Sequence, residues 1–346
     1  MADRPNASAT RPPEHPPIAE PRVGVLLVNL GTPDAANAGA VRRYLREFLS
    51  DRRVVDYPRA VWLPILYGII LNVRPAKTAR AYSAIWRADS NESPLRYFTR
   101  RQADALSEGL GGDIAVDWAM RYGAPPIAGR LAALKEKGCE RILIVPLYPQ
   151  YSATTTATVN DAVFRALEKM RWQPAIRTMP PFHDTPAYIG ALTAVARRRL
   201  EELDWAPERV LISFHGLPQR YFDAGDPYFC HCSKTARLLR AEMRWSEEFA
   251  PMTFQSKFGP EKWLEPATDV TLEKLAGEGV RRVAVMTPGF VSDCIETLEE
   301  IAIAGRSQFL AAGGEAFDAI PCINDAPETV ALLDALVRRE TAGWVA

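Results

Sequence analysis

The chain has 346 residues, of which 47% are hydrophobic and 24% are charged, and its 42 basic and 42 acidic side chains give a formal net charge of zero. This length suits two domains, or one large unit with a duplicated core, and the apolar content is ample for a buried interior. A neutral chain without a basic run excludes nucleic acid as a partner. The five cysteines, an odd number at irregular spacing, argue against a secreted disulfide framework. We therefore expect a cytoplasmic protein.

The N-terminal segment and one apolar stretch stand apart from the rest of the chain. Residues 1–20 are rich in proline and lack the apolar core of a signal peptide, which predicts a disordered tail. The longest uncharged apolar stretch, residues 60–73, is interrupted by Pro64 and Gly68. Its length is below the ~17–25 residues needed to span a bilayer. We call residues 60–73 the lip and expect it on the surface of a soluble protein.

Four apolar runs, residues 23–28, 142–145, 210–214 and 283–286, predict buried parallel strands. The first and third runs each end in a Gly-x-Pro turn, as VLLVNLGTP and VLISFHGLP. The second and fourth each follow a helix that ends near a glycine. This ordered correspondence predicts an α/β fold of two doubly wound, parallel-sheet domains related by internal duplication, with a cleft between them. The domain bounds that we predict are 21–175, which includes the lip, and 176–335, followed by a tail at 336–346.

The segment PGFVSDCIETLEEI predicts a row of carboxylates. Asp293, Glu296 and Glu300 lie at i, i+3 and i+7, so they share one face of a predicted helix. Like charges at i,i+4 destabilise a helix by roughly 0.2–0.5 kcal/mol, so Glu296 and Glu300 do not serve helix stability. Asp293 and Glu296 also fit an N-terminal capping box, but that alternative leaves Glu300 unexplained. The row therefore favours a path for cations or protons.

His215 follows the third strand and precedes a glycine, where its ring can project into a cleft. Ligands of open parallel sheets bind beyond the carboxyl ends of the strands. Opposite Glu296, an imidazole would suit a cation site or a proton acceptor with a relay. The alternative is a turn histidine that is bonded to backbone.

Other segments suit a ligand less specifically. A polar turn that contains Tyr151 leads into a helix whose Arg165 could point into the cleft or stay solvated. The lip, followed by Arg74 and Lys77, would suit a large flat apolar ligand with carboxylate tails. It could instead form a core helix or rest on a membrane surface. Cys230-His231-Cys232 lacks the usual spacing of a structural zinc site, so we favour free thiols there.

Taken together, these motifs resemble the ferrochelatases, enzymes that insert ferrous iron into a porphyrin to make haem. The resemblance runs from about Val23 to Pro327. It is carried by VNLGTPD, LYPQYSATTT, SFHGLPQRY, GDPY, FQSKFGPEKWLEP and PGFVSDCIETLEEI. It implies a lyase of haem biosynthesis whose two Rossmann-like domains enclose a porphyrin cleft.

The resemblance also implies roles for individual residues. The catalytic residues that we predict are His215, Glu296, Glu300 and Asp293, and the metal contacts are His215 and Glu296. The substrate-binding residues that we predict, partly from the lip, are Leu30, Arg74, Lys77, Tyr151, Arg165 and Trp263.

Two departures from the family pattern concern metals. Many members have histidine directly after the aspartate of the acidic row, where this chain has Cys294. Some members carry an iron–sulfur cluster on C-terminal cysteines, whereas no cysteine follows Cys322 here. We therefore expect Fe²⁺ as a substrate, with no tightly bound cofactor and no [2Fe-2S] cluster.

The reaction that we predict is insertion of Fe²⁺ into protoporphyrin IX, and the choice of this porphyrin rests mainly on the resemblance. A coproporphyrin ferrochelatase, another tetrapyrrole chelatase and a non-enzymatic tetrapyrrole or metal carrier stay open as alternatives. The expected partners are the porphyrin and Fe²⁺, and a peripheral membrane contact is left open, as is the choice between monomer and homodimer.

Overall fold

The computed structural model describes residue 14 and residues 21–112 and 114–345. The predicted N-terminal tail, apart from residue 14, lies outside the described residues. The strands are β1 (Arg22–Gly31), β2 (Ile114–Tyr122), β3 (Cys139–Pro146), β4 (Ala175–Thr178), β5 (Arg209–His215), β6 (Met252–Gln255), β7 (Arg282–Met286) and β8 (Ala316–Ala319). The four predicted strands are confirmed as β1, β3, β5 and β7.

The helices of the N-terminal half are α1 (Ala38–Leu49), α2 (Arg59–Ile65), α3 (Leu71–Ile85), α4 (Pro94–Leu110), α5 (Ile127–Glu136) and α6 (Thr158–Leu167). Those that follow are α7 (Pro186–Glu202), α8 (Gln219–Asp223), α9 (Tyr228–Met243), α10 (Thr268–Gly277), α11 (Arg306–Ala311) and α12 (Pro327–Thr341). Three segments are π-helical: π1 (Leu66–Ile70), π2 (Ala153–Ala157) and π3 (Glu296–Gly305).

The strands form two four-stranded sheets, ordered β2-β1-β3-β4 and β6-β5-β7-β8. Every pairing within both sheets is parallel. The two orders become identical when β1 to β4 are matched with β5 to β8, which is the relation expected of a duplication. The predicted fold class, two doubly wound domains with a repeated core, is confirmed.

Side chains that alternate along the strands build a central core between the two sheets and an outer core on the far face of each sheet. Val25 and Leu27 of β1 face a central cluster that also contains Ile212 and Phe214 of β5, together with residues of α4, α7, α9 and α12. Leu26 of β1 faces away from it, toward α5 and α6. Because both sheets contribute to the central cluster, the two halves share one interior.

Both domain boundaries differ from the prediction. β4 pairs with β3, so the first sheet continues to Thr178 and the predicted boundary at 175 falls inside a strand. The predicted tail at 336–346 is also wrong in part, because α12 continues to Thr341. Leu336 and Val337 are buried in the central core, and Arg338 Nη2 lies 3.2 Å from the Gly109 carbonyl oxygen of α4. Burial against the N-terminal half thus extends this helix.

One glycine fixes the end of β1. Gly31 has φ +112, and a Cβ there would lie 1.8 Å from the carbonyl oxygen of Tyr122. Only glycine can therefore follow Leu30, and the chain turns at the sheet edge. Among the described residues, no helix combines the length and apolarity needed to cross a bilayer.

Leu333→Ala tests whether the two halves are one cooperative unit. Leu333 is fully buried in the shared core, so the substitution should lower the free energy of unfolding by about 2–5 kcal/mol. Denaturation should remain a single transition for probes in either half. Val270→Ala, at a position 62% exposed, is the control and should change the free energy of unfolding by less than about 0.5 kcal/mol. Two separate transitions would contradict the shared core.

Candidate active site

The candidate site lies at the carboxyl edge of the second sheet. His215 ends β5 and pairs in register with Gln255, which ends β6. His215 Nδ1 lies 2.6 Å from the carbonyl oxygen of Gly216. A carbonyl oxygen only accepts, so Nδ1 carries the hydrogen and Nε2 of the neutral ring keeps its lone pair. The structure therefore shows the backbone-bonded ring that the sequence left as an alternative, and the reactive role of His215 stays a prediction.

The turn after His215 is closely packed. A Cβ at Gly216 would lie 2.7 Å from the Gln255 carbonyl oxygen and 3.1 Å from Cε3 of Trp263. The Leu264 amide donates to the Leu217 carbonyl at 2.9 Å. Trp263, a predicted substrate-binding residue, therefore lies against the turn that carries His215.

Glu300 is held by the residue that follows β6. Its Oε1 accepts from the Ser256 amide at 2.6 Å, and its Oε2 accepts from the Ser256 hydroxyl at 2.5 Å. Ser256 has φ +66, a left-handed conformation that is uncommon for serine. The neighbouring Gln255 donates through Nε2 to the carbonyl oxygen of Glu296 at 2.7 Å. The end of β6 thus positions both glutamates.

Electrostatics link Glu300 to His215 and Glu296. Burial raises the pKa of the Glu300 carboxyl group above its ordinary value, and the charge of Glu296 adds to this rise. The hydrogen bonds from Ser256 and the attraction of His215 lower the pKa and oppose it. A carboxyl group with a raised pKa can bind and release a proton nearer neutral pH.

The prediction that all three acidic residues share a helical face is wrong for Asp293. The helical segment begins at Ile295, so Asp293 precedes it. Both Asp293 oxygens accept hydrogen bonds: Oδ1 from the Thr297 hydroxyl at 2.8 Å and Oδ2 from Asn324 Nδ2 at 2.6 Å. The Asp293 carboxylate is buried, and both of its oxygens are hydrogen-bonded, so it connects Thr297 of π3 with the loop that contains Asn324. The role predicted for Asp293 in catalysis stays a prediction.

Glu296 borders a small void of about 10 Å³, which is about the size of one water molecule. The predicted substrate contact Leu30 lines the same void, together with Tyr44, Tyr82 and Cys294. Burial, with the charge of Glu296, raises the pKa of the Cys294 thiol well above its ordinary value. Cys294 therefore stays a neutral thiol.

A larger cavity of about 1320 Å³ opens beside this void. Thr32 and Tyr44 line both spaces. Tyr151 and Arg165, two of the predicted substrate contacts, line the cavity, whereas His215 and Glu296 do not. The large cavity therefore lies beside the void that Glu296 borders, and it encloses neither His215 nor Glu296.

The cavity wall carries charged side chains of both signs, with seven arginines and six carboxylates. Arg121 pairs with Asp51, and Arg53 Nε lies 2.8 Å from Asp161 Oδ2. The lining arginines without an ion pair or hydrogen bond to the described residues are Arg43, Arg46 and Arg52. These three arginines are not among the substrate contacts predicted from the sequence. The signal for two of them was the i,i+3 spacing of Arg43 and Arg46 on α1.

The predicted cations of the lip lie elsewhere. Arg74 and Lys77 are exposed on α3 and line neither space. The Arg74 guanidinium stacks on the Phe258 ring at 4.0 Å, a cation–π contact between the lip region and the loop after β6. The structure does not bring these two residues together with Tyr151 and Arg165.

Two stacked histidines support the cavity wall. The rings of His183 and His231 are 3.9 Å apart and nearly parallel. His231 Nδ1 accepts the backbone amide of Tyr151 at 3.2 Å. Burial, aided by the charge of His231, lowers the pKa of His183 from its ordinary 6.5 to about 4. The pair is therefore neutral when it holds Tyr151 in place.

Within the part of the chain that the structure describes, no three His, Cys, Asp or Glu side chains lie close enough together to hold a metal ion. His215 and Glu296 remain the predicted metal contacts.

The fold is shared with structures of chelatases. SirB from Bacillus subtilis with Fe³⁺ aligns with a TM-score of 0.56, covering 93% of this chain and 97% of that one at 13% identity. The sirohydrochlorin chelatase SirB from Bacillus subtilis subspecies spizizenii, in complex with cobalt, aligns with a TM-score of 0.53 over 94% of this chain and 98% of that one at 13% identity. The arrangement of two repeated parallel sheets is thus that of the two-domain chelatases.

Sequence comparison gives the family within this class. The family model described as Ferrochelatase matches residues 22–341. A ferrochelatase of Rhizobium meliloti is 59% identical over 96% of this chain and 98% of that protein. A ferrochelatase of Agrobacterium fabrum is 58% identical over 96% of this chain and 98% of that protein. The chain belongs to the ferrochelatase family and is an enzyme.

His183→Phe tests the buried neutral histidine. The folded-state pKa of about 4 lies below the ordinary 6.5, so the unfolded chain binds more protons between these values and stability falls as the pH falls. At about 1.4 kcal/mol per pKa unit, the loss contributed by His183 is at most about 3 kcal/mol. His183→Phe keeps a flat ring, and its unfolding free energy between pH 6.5 and 4 should fall less steeply than that of the wild type. Identical slopes in urea titrations would contradict the assignment.

Proposed function

We propose that this chain inserts Fe²⁺ into protoporphyrin IX, forming protohaem with release of two protons, as the final step of haem biosynthesis. One observation carries the proposal: a histidine whose Nδ1 is bonded to a backbone carbonyl, which leaves Nε2 to accept a proton, lies within electrostatic reach of Glu300 in a chain of the ferrochelatase family.

Insertion requires that two pyrrole N–H protons leave as the metal enters. His215 Nε2 accepts the two protons one after the other, passing on the first before it takes the second, and Nδ1 keeps its hydrogen bond to the Gly216 carbonyl in the imidazolium form. The nearby Glu296 draws the proton away. Glu300, whose raised pKa lets it exchange protons, passes the charge onward along π3. Protons thus leave by a chain of groups and need not cross the ring.

Imidazole nitrogen suits ferrous iron, and carboxylate oxygen can complete a transient contact. We assign these contacts to His215 and Glu296, with Fe²⁺ as a substrate that is passed on.

We also propose a protein without a resident cofactor or [2Fe-2S] cluster. Such clusters are bound by several Cys thiolates that converge on one site. Among the described residues, no three His, Cys, Asp or Glu side chains lie close enough together to hold a metal ion. We therefore propose that the buried Cys232, Cys294 and Cys322 serve packing.

The porphyrin ring would lie against Leu30, with its carboxylates toward the large cavity. Arg43, Arg46 and Arg52 offer guanidinium groups without protein carboxylate partners among the described residues. Tyr151 and Arg165 complete this wall. Coproporphyrin III is the second candidate substrate, because three such guanidinium groups exceed the two carboxylates of protoporphyrin.

The lip exposes a stripe of apolar side chains spaced four residues apart: Val61 (56% exposed), Ile65 (38%), Ile69 (59%) and Val73 (70%). A contiguous exposed apolar surface of this kind marks a contact with a protein or a membrane. We propose that the stripe rests on a membrane surface, which would place the enzyme in the cytoplasm at the bilayer and the cleft mouth near apolar substrate.

His215→Ala and Glu296→Gln test the reaction. Each removes a proton-handling group, so kcat for anaerobic Fe²⁺ insertion into protoporphyrin IX should fall about 10²-fold or more. Porphyrin affinity, followed by fluorescence quenching, should change less than about threefold because the cavity is intact. Glu299→Gln, on the same helix, is the control and should keep its activity.

The same assay with coproporphyrin III separates the candidates. A preference for coproporphyrin III would transfer the proposal to that substrate. Tight porphyrin binding without insertion of any metal would indicate a carrier and end the enzymatic proposal.

Ile69→Glu and Val73→Glu test the membrane contact. Burying an isoleucine or valine side chain contributes about 1.5–3 kcal/mol, so each variant should bind phosphatidylcholine vesicles about tenfold more weakly in sedimentation. Val270→Glu, equally exposed but on α10, is the control. Equal sedimentation of all forms would rule out the stripe as the contact.

A further inference from the structure

The helix that carries the lip is irregular at two points. Around π1, the Leu71 amide bonds to the Leu66 carbonyl five residues earlier, so the next carbonyls are displaced from the usual α-helical register. Four residues after Leu71, Pro75 has no N–H to donate back to the Leu71 carbonyl, and its ring crowds that oxygen. The bend therefore leaves backbone carbonyls that need donors from elsewhere.

Two side chains supply these donors. Arg42 Nη1, from α1, lies 2.6 Å from the Leu71 carbonyl oxygen and 2.8 Å from Asn72 Oδ1. Asn72 Nδ2 in turn donates to the carbonyls of Gly68 at 2.9 Å and Tyr67 at 3.1 Å. The two residues form one continuous bridge from α1 to the bend, and Arg42 supplies the donor that Pro75 cannot give to the Leu71 carbonyl.

A separate set of contacts holds the start of the lip. Trp62 Nε1 donates to the Leu49 carbonyl at 2.7 Å, and Arg59 Nη1 to the Ser50 carbonyl at 2.6 Å. Both satisfy carbonyls at the C-terminal end of α1. The lip is thus fixed to both ends of α1: through Trp62 and Arg59 before the bend, and through Arg42 and Asn72 at the bend.

This geometry connects two parts of the cavity wall. α1 presents Arg43 and Arg46 to the large cavity, and the bend presents Tyr67 of π1 to the same cavity. The position of Tyr67 depends on how far the chain bends at residues 66–75. A contact that fixes the bend therefore fixes the distance between Tyr67 and the two arginines.

We propose that Arg42 and Asn72 are positioning residues for porphyrin binding, which hold the bend of the lip against α1. The inference rests on the proposed function for the identity of the ligand. Arg42 and Asn72 are exposed and line neither of the two spaces at the site, so their effect on a ligand there must pass through the lip.

The test compares Arg42→Met, Asn72→Leu and the double variant with the wild type. Met keeps the length of the Arg side chain and removes its donors. Misplaced binding groups weaken binding steeply, so KM for protoporphyrin IX should rise about tenfold in each single variant, with kcat within about twofold. Because the two residues form one bridge, KM for protoporphyrin IX in the double variant should be no higher than in the single variant with the higher KM. Arg80→Met is the matched control, an exposed arginine of α3 without a hydrogen bond or ion pair to the described residues.

Hydrogen exchange of the amides at 66–74 gives a readout that does not need a substrate. Exchange there should become faster in Arg42→Met and Asn72→Leu and stay unchanged in Arg80→Met. Unchanged KM in both variants, with an active wild type, would overturn the proposal. A raised KM in Arg42→Met that Arg42→Lys restores, while Asn72→Leu binds normally, would assign the effect to charge and also overturn it.

Failure of the proposed function looks different from failure of this inference. If the proposed function fails, the wild type inserts metal into no porphyrin. Faster amide exchange at 66–74 in Arg42→Met and Asn72→Leu would still establish the bridge. A fall in thermal stability with no change in KM or exchange would reduce both residues to an ordinary structural role and count against the proposal.

Discussion

The side-chain amide of Gln255 is the contact on which the catalytic edge depends. Its Oε1 accepts from the Ser213 hydroxyl at 2.9 Å, which orients the group and leaves Nε2 to donate. Nε2 then holds the first turn of π3 through the Glu296 carbonyl. The Gln255 backbone carbonyl accepts the Gly216 amide at 2.7 Å, next to the histidine. One buried residue thus fixes the relative places of the base, the carboxylates and the strand ends, and a second amide orientation would break two of these bonds.

Much of the architecture could be predicted from the sequence because burial leaves a direct trace. Parallel strands covered on both faces need uninterrupted apolar runs, and these located β1, β3, β5 and β7. The repeat of Gly-x-Pro turns and Gly-terminated helices revealed the duplication before any coordinates. The short strands at 175–178 and 316–319 have partly exposed, mixed sequences and gave no such trace. Their assignment depends on neighbours that are distant in sequence.

The candidate site was harder to predict for the same reason. His215 and Glu296 could be recognised from their position after strands, and the structure places their elements together. Asp293 was misplaced because the start of the helix is decided by Asn324, whose side chain bonds both the amide and the carboxylate of that residue from 31 positions away. A prediction from helical periodicity assumes hydrogen bonds between residues four apart, so it cannot predict a π-helix, whose bonds join residues five apart. Arg43 and Arg46 of α1 could be recognised as candidate ligand contacts only from the structure, which shows that both line the cavity.

The interior shared by the two sheets restricts how a large planar molecule can enter. A hinge between halves needs an interface that can open without exposing much apolar surface. Here Leu27, Phe214 and Leu333 belong to one close-packed cluster, so the halves cannot swing apart at a modest energetic cost. Admission and release of the macrocycle must then proceed while the two halves stay together, past the helix and the loop that meet through Arg74 and Phe258. The shared interior thus makes the two sheets a single frame of fixed width around the opening.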